Sequence, residues 1–307
     1  MSDQGRAYVY AGATVLMWST VASAFKIALR YQSPLELLLW STVVSVLVLG
    51  GILAARGKLR RAFRCTAAQY RRSLLLGLLN PFLYYVVLFE AYDRLPAQLA
   101  QPLNYTWALT LAYLSVPLLG QRLSRRDVIA GLVAYSGVVV LATRGDLSGF
   151  GVAEPVGVAL ALGSTIIWAF YWIGNTRDER DATVSLFLCF LMGLPFVAVA
   201  AAIGGITAPG GPALLGALYV GVVEMGVSFV FWLKALRLSE NASRVGYLIF
   251  LSPFVSLLFI RSVVGEPILA STPAGLALIV AGLIIQRTGR GPATPVEPGL
   301  SGGAGAA

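Results

Sequence analysis

The sequence predicts an all-α polytopic membrane protein of ten transmembrane helices, arranged as two inverted five-helix repeats. Of its 307 residues, 57% are hydrophobic and only 12% are charged, whereas a soluble domain carries about 25% charged residues. Apolar runs of the ~17–25 residues that cross a bilayer recur along nearly the whole chain. These runs are continuous rather than alternating, which excludes the strands of a membrane barrel.

Ten apolar runs define the predicted spans in chain order. The first contains Trp18 and Lys26 and is too long for the apolar core of a cleaved signal peptide. The last residues, 289–307, are rich in Gly, Ala and Pro, which predicts a disordered tail. The spans cover residues 7–29, 34–55, 70–93, 98–119, 125–143, 154–174, 182–203, 210–236, 242–262 and 270–287.

Basic residues are distributed unequally between the two sides of this arrangement. One side holds only five of the 23 Lys and Arg residues, whereas the loop 55–72 on the other side is strongly basic and carries no acid. The positive-inside rule then places both termini in the cytoplasm. The net charge of +9 therefore reflects topology rather than nucleic-acid binding. The five are Lys26, Arg30, Arg94, Arg144 and Arg261.

The residue types argue against an integral membrane enzyme. The chain has no histidine, the commonest metal ligand and general base near neutral pH. Its two cysteines, Cys65 and Cys189, fall in a loop and in a span, so we expect no disulfide. The Gly-Gly pairs at 204–205 and 210–211 lack the lysine that a phosphate-binding loop requires. The sequence therefore predicts no metal and no cofactor.

Residues 1–143 and 144–288 predict the two repeats. With an offset of 150, Trp18 falls on Trp168, and with an offset of 144, Asn80 falls on Glu224. Because each repeat has an odd number of spans, the second enters the membrane from the opposite side. Such inverted repeats are common in secondary transporters, which bind substrate near the midplane between the repeats.

Polar, small and aromatic residues at helical spacing predict the faces that point away from lipid. These faces would enclose an aromatic cavity with amide, hydroxyl and carboxylate groups, which suits a solute with an apolar body and a polar or cationic head. Trp172 also fits an interfacial belt, and Asn80 and Gln101 also fit interhelical hydrogen bonds. The predicted substrate-binding residues are Trp18, Asn80, Tyr84, Gln101, Tyr105, Trp168, Trp172, Glu224 and Ser228.

Glu224 lies about midway along its span, too deep for its short side chain to reach the interface. An ionised carboxylate in hydrocarbon is costly, so this side chain should face the interior or water. Three roles are open. Glu224 binds the ammonium group of a substrate, carries a coupling proton, or pairs structurally with Lys26 or a helix amide.

Spans five and ten carry small residues at close-packing spacing. Small side chains let helix backbones approach each other, so we expect contact seams between helices here, within the monomer or between monomers, rather than contacts with a solute. The residues are Ala130, Gly131, Ala134, Ser136 and Gly137 in span five and Ala270, Ala274, Ala277 and Ala281 in span ten.

Three segments carry a family resemblance: Leu16-Met17-Trp18-Ser19 through Lys26, the turn from Ala91 to Leu95-Pro96-Ala97, and Gly265-Glu266 before the last span. Together they are similar to the drug/metabolite transporter superfamily, in its ten-helix branch built from two EamA-type repeats. The stretch Asn104-Tyr105-Thr106-Trp107 also resembles a span-four motif of YddG-like exporters of aromatic amino acids.

The resemblance implies a secondary transporter that exports aromatic and neutral amino acids and related metabolites across the bacterial inner membrane by alternating access. The expected partners are this small-molecule substrate and the lipid bilayer, with the chain as a monomer or homodimer. A passive facilitator, or an exporter of other small amphipathic metabolites or drugs, is the alternative.

Overall fold

The structure is a computed structural model, and it describes residues 2–120, 124–146, 154–175, 178–239 and 248–288. These residues form helices joined by short loops, with no β-strand among them. The tail 289–307 and the first residues of the predicted span 242–262 lie outside the described ranges.

The helices fall where the sequence predicts spans. Among the described residues, six helices (α1, α2, α3, α6, α7 and α8 below) are long and apolar enough to cross a membrane. The chain is therefore a multi-pass membrane protein, while the count of ten spans stays a prediction. The helices are α1 (Asp3–Ala28), α2 (Pro34–Ala55), α3 (Ala67–Arg94), α4 (Ala97–Tyr105 and Trp107–Leu119), α5 (Arg125–Ala142), α6 (Pro155–Asn175), α7 (Ala182–Gly204), α8 (Gly211–Tyr219, Val220–Val227 and Ser228–Leu238), α9 (Leu248–Val264) and α10 (Ser271–Thr288).

Side-chain caps fix where several helices begin. Ser33, Thr66 and Ser124 each form a capping box with the residue three positions later, which satisfies free backbone N–H groups at the starts of α2, α3 and α5. Asp181 accepts hydrogen bonds from two backbone N–H groups in the first turn of α7. Each of these polar residues marks the end of a loop. The helix start that it fixes determines which of the following side chains lie on the same apolar face.

Two charged residues from the sequence motifs stabilise helix ends. Glu266 accepts hydrogen bonds of 3.0 and 3.3 Å from the first two backbone N–H groups of α4. Lys26 Nζ donates to the carbonyls of Tyr92 and Leu95 at the end of α3, at 2.7 and 3.0 Å. Both charges complement the helix dipoles that they face. Lys26 is thus engaged at a helix end, and its pairing with Glu224, which the sequence left open, is wrong.

Helices of the first half contact the second half in the same way as their counterparts in the second half contact the first. α1 packs on α8 and α9 as α6 packs on α3 and α4, and α2 packs on α8 as α7 packs on α3. Ala28 at the end of α1 meets Gly216 near the start of α8, and Leu95 beyond the end of α3 meets Gly157 near the start of α6. Both of these helix pairs are therefore antiparallel.

α5 and α10 form the most extensive helix pair. Gly137 lies against the backbone of Gly275, and Gly282 lies against the backbone of α5, so a side chain at any of the three would collide with main chain. The seam on α5 is confirmed at Ala130, Ala134 and Gly137. On α10 the seam within the monomer follows the glycines rather than the alanines beside them, so a contact between monomers at those alanines stays a prediction. The predicted seam residues that are exposed are Ser136, Ala270, Ala274 and Ala277.

Candidate substrate site

α3 and α8 both depart from regular helix geometry where the sequence predicts inward-facing polar residues. In α3, the turns from Leu78 to Leu83 are widened, and Asn80 has extended backbone angles of φ −143° and ψ 115°. In α8, the turns from Val220 to Val227 are widened around Glu224. Widened turns of this π type are frequent at functional sites, so both positions are candidates for ligand contact.

Neighbouring helices pack closely on both widened turns. Gly193 of α7 contacts Pro81 of α3, and Gly221 of α8 lies against the backbone of α2. Ser45 of α2 donates a 2.7 Å hydrogen bond to the carbonyl of Met225. Side chains that pair irregular backbone are what allow such turns at membrane depth. The packing therefore holds Asn80 and Glu224 in place.

Aromatic rings from several helices meet beside these turns. Trp168 stacks on Tyr84 with ring centroids 4.4 Å apart and an interplanar angle of 29°. Phe229 lies against both Trp168 and Trp18, at 6.1 and 6.2 Å. Trp172 stacks with Trp107 at 6.4 Å, which places it within this cluster. The aromatic cluster consists of Trp18, Tyr84, Tyr85, Trp107, Trp168, Tyr171, Trp172 and Phe229.

Glu224 joins the two halves within this cluster. Its Oε1 accepts a 3.1 Å hydrogen bond from the hydroxyl of Tyr85, which belongs to α3. Trp18 of α1 is a second polar neighbour of the carboxylate. The other oxygen, Oε2, is buried and has no hydrogen-bond partner among the described residues. Because a buried charge is costly unless it is paired, this oxygen offers a position for a donor from a ligand.

Three further predicted residues present buried polar atoms without a partner in the described structure. They are both amide atoms of Asn80, Oε1 of Gln101 and Nε1 of Trp172. The hydroxyl of Tyr171 lies near Asn80. Native proteins pair nearly all of their buried polar groups, so a group of unpaired atoms in one region indicates a place for a polar ligand or ordered water.

Tyr84 belongs to a hydrogen-bonded chain that crosses three helices. Its hydroxyl donates to Oδ1 of Asn104 at 3.3 Å, and Nδ2 of Asn104 donates to the hydroxyl of Ser164 at 2.9 Å. The chain links α3, α4 and α6 and orients the Tyr84 ring against Trp168. Asn104 was absent from the predicted site, although it opens the stretch that carries the family resemblance.

The other two predicted residues already have partners. Tyr105 shares a short hydrogen bond with Ser252 of α9. Ser228 donates to the backbone carbonyl of Glu224 at 2.7 Å, so its hydroxyl serves its own helix. Among the described residues, no group of His, Cys, Asp and Glu is arranged to hold a metal ion.

Tyr85 and Phe229 are site residues that the face prediction missed. Each directly follows a predicted residue, so regular helical spacing assigned it to another face. The widened turns shift the phase of each helix and bring both rings inward. One signal was available in the sequence, because the offset of 144 that aligns Asn80 with Glu224 also aligns Tyr85 with Phe229.

The chain crosses the membrane several times, its two halves make equivalent helix contacts, and it holds a buried polar site in which some atoms have no partner among the described residues. Together these features are typical of membrane transport proteins. The chain belongs to the EamA-like transporter family, whose model matches residues 5–143 and 155–287, one match in each half. The protein is therefore a transporter of a small molecule and not an enzyme.

The relatives and a solved structure agree with this assignment. The chain is 28% identical over 283 residues to the uncharacterized transporter YvbV of Bacillus subtilis, with 89% of each protein covered. It is 24% identical over 285 residues to an uncharacterized transporter of Archaeoglobus fulgidus, covering 89% of this chain and 95% of that protein. One solved crystal structure, 23% identical, has a TM-score of 0.65 and covers 91% of this chain and 96% of its own, which supports the fold alone.

Proposed function

We propose that this protein is a secondary transporter that exports amino acids, aromatic and neutral ones first, by alternating access. The observation that carries the proposal is the convergence of unpaired buried polar atoms with the aromatic cluster. Glu224 Oε2 accepts from an ammonium group, while Nδ2 of Asn80 and Nε1 of Trp172 donate to a carboxylate. The aromatic rings supply stacking and cation–π contacts for the apolar part of the substrate and for its ammonium group.

Alternating access rests on two inverted repeats, residues 1–143 and 144–288. α8, the counterpart of α3, is antiparallel to α1, and α3 is antiparallel to α6, which supports opposite directions for the two halves. Irregular helices at the interface of inverted repeats hold the substrate in several secondary transporters. With ten spans that cross the inner membrane, both termini and the basic loop 55–72 face the cytoplasm.

A passive facilitator, or an exporter of other amphipathic metabolites or drugs, is the second candidate function. The observation in its favour is the predominance of aromatic rings, since these bind many apolar solutes without regard to a zwitterionic head. Glu224 separates the two candidates, because a solute that lacks an ammonium group has no need of its carboxylate.

Flux through purified protein in liposomes tests the proposal. Radiolabelled phenylalanine, alanine, lysine and glutamate are compared at two pH gradients, with empty liposomes as the control. We expect saturable flux of phenylalanine and alanine, and a response to the pH gradient if a proton is coupled. Absence of flux for all four amino acids, with flux of an aromatic solute that lacks an ammonium group in the same liposomes, would replace the proposal by its alternative.

A further inference from the structure

A separate cavity lies where α2 begins and α7 ends, outside the aromatic cluster. Its volume is about 130 Å³. We call it the α2-end cavity, and its wall includes Tyr31, Gln32, Glu36, Trp40, Thr207 and Ala213. The first four residues belong to the first repeat and the last two to the second, so the cavity lies between the halves.

Hydrogen bonds within the first half and between the halves hold this wall in shape. Glu36 Oε2 accepts from the backbone N–H and the hydroxyl of Ser33, each at 2.9 Å. Glu36 Oε1 accepts from the backbone N–H of Thr207 at 2.9 Å and also from its hydroxyl. Nε2 of Gln32 donates to the carbonyl of Ala213 at 3.0 Å. The cavity is therefore preorganised by the fold.

Two polar atoms of the wall are buried and have no partner within the described structure. Nε1 of Trp40 is a donor, and Oε1 of Gln32 is an acceptor. Buried groups of this kind are normally paired. A molecule that fills the cavity and pairs both must offer an acceptor to Trp40 and a donor to Gln32.

Glu36 makes the cavity negative. No Lys or Arg within the described ranges forms a salt bridge with this carboxylate. The rings of Trp40 and Tyr31 also line the cavity, and such rings attract a cation within about 6 Å of their faces. The donor of the ligand is therefore best supplied by a cationic group.

At the other end of the α2–α7 pair, a buried carboxylate forms a salt bridge with a cationic side chain of the protein itself. Asp178, in the loop before α7, pairs with Arg180 at 2.6 Å, and Arg180 also donates to Ser73 at 2.8 Å. Burial alone would raise the pKa of Asp178, but the hydrogen bonds from Arg180 and Ser185 outweigh it and lower that pKa below its usual value. Among the residues that the structure describes, Glu36 has no such cation.

Size limits the ligand. A cavity of about 150 Å³ accepts one benzene molecule, so a slightly smaller one holds about four to six non-hydrogen atoms. We propose that the α2-end cavity binds a small primary ammonium compound that also carries an oxygen acceptor. The ammonium group lies against Oε1 of Gln32 and the Glu36 carboxylate, and the oxygen accepts from Nε1 of Trp40.

Equilibrium dialysis of radiolabelled ethanolamine against the purified full-length protein in detergent tests this site. We expect saturable binding of one equivalent, with propylamine and ethylene glycol competing poorly because each lacks one of the two groups. Trp40→Phe should weaken binding about two- to tenfold, the loss expected for one neutral hydrogen bond. Trp232→Phe, the same change on α8 outside the cavity, is the matched control.

Gln32→Lys is the second variant, and it tests ligand binding in the cavity independently if Trp40→Phe fails to fold. Its side chain still reaches the Ala213 carbonyl as a donor, and its ammonium group occupies the position of the ligand, so ethanolamine binding should be lost. Absence of saturable binding to the unaltered protein would overturn the proposal. So would equal competition by propylamine, or an equal loss in Trp232→Phe and Trp40→Phe. Amino acid flux through the aromatic cluster is not required for any of these results.

Discussion

At the scale of single residues, the environment of Glu224 allows its role to be tested directly. One carboxylate oxygen accepts a hydrogen bond from Tyr85, and the other has no partner within the described part of the chain. Glu224→Gln keeps the shape and the acceptor for Tyr85 but removes the charge. If Glu224 binds the substrate ammonium, the KM for alanine flux should rise about ten- to hundredfold at every pH, because hydrogen bonds to charged groups contribute about 1.5–3 kcal/mol.

The pH profile of the same variant distinguishes the remaining roles. A proton carrier predicts flux that no longer responds to a pH gradient, with little change in KM. Normal flux and a normal pH response would leave Glu224 only a structural role, with Tyr85 as its partner. Tyr85→Phe is the matched control, because it removes the hydrogen bond and leaves the carboxylate in place.

Trp168 should affect affinity in proportion to the aromatic character of the substrate. Trp168→Ala removes the ring that stacks on Tyr84 and contacts Phe229. We expect the KM for phenylalanine to rise about two- to thirtyfold, as stacking or cation–π contacts of ~0.5–2 kcal/mol are lost. The KM for alanine should change less. Trp168→Phe, which retains a ring, should restore most of the affinity, and an equal effect on both substrates would contradict a direct contact.

At the scale of helices, the glycine seam between α5 and α10 should limit stability. Gly137→Val places a branched side chain against the backbone of Gly275. Overpacking of this kind costs about 1–3 kcal/mol, so thermal unfolding in detergent should begin at a lower temperature. Ser136→Val adds comparable bulk at the neighbouring exposed position and should leave the unfolding temperature unchanged. A similar decrease in both variants would exclude the seam as its cause.

The sequence predicts helix positions well where local chemistry sets them. α2 begins at Pro34 as predicted, because a proline and a capping box coincide there. α1 begins four residues before the predicted start, at Asp3, because the polar Ser2 provides the cap. The widened turns of α3 and α8 leave no hydropathy signal. Pro81 marks the one in α3, because a proline inside a helix removes a backbone hydrogen bond, but neither turn reveals how far it rotates the residues that follow. Tyr85 and Phe229 were missed for this reason, while residues on regular turns such as Trp168 were placed correctly inside.

At the scale of the whole molecule, topology is the expectation most open to direct test. In a chain with both native cysteines replaced, Lys58→Cys places a thiol at a half-buried position and Tyr31→Cys at an exposed one, on opposite ends of α2. With cytoplasmic termini, a membrane-impermeant thiol reagent should label Tyr31→Cys in intact cells and Lys58→Cys only after lysis. The reverse pattern would invert the predicted orientation and place both termini outside the cytoplasm.

The equivalent helix contacts of the two halves bear on the free energies of the states in a transport cycle. Under alternating access, two repeats that swap conformations convert an outward-facing state into an inward-facing one. Identical repeats would make these states equal in free energy, so the resting preference arises only from positions where the halves differ. The buried Asp178–Arg180 pair is one such position, because Arg30, at the corresponding end of the first repeat, donates to the carbonyl of Val264 at 3.0 Å and forms no salt bridge among the described residues. Under this mechanism, the side to which the empty transporter opens at rest depends on such unmatched residues.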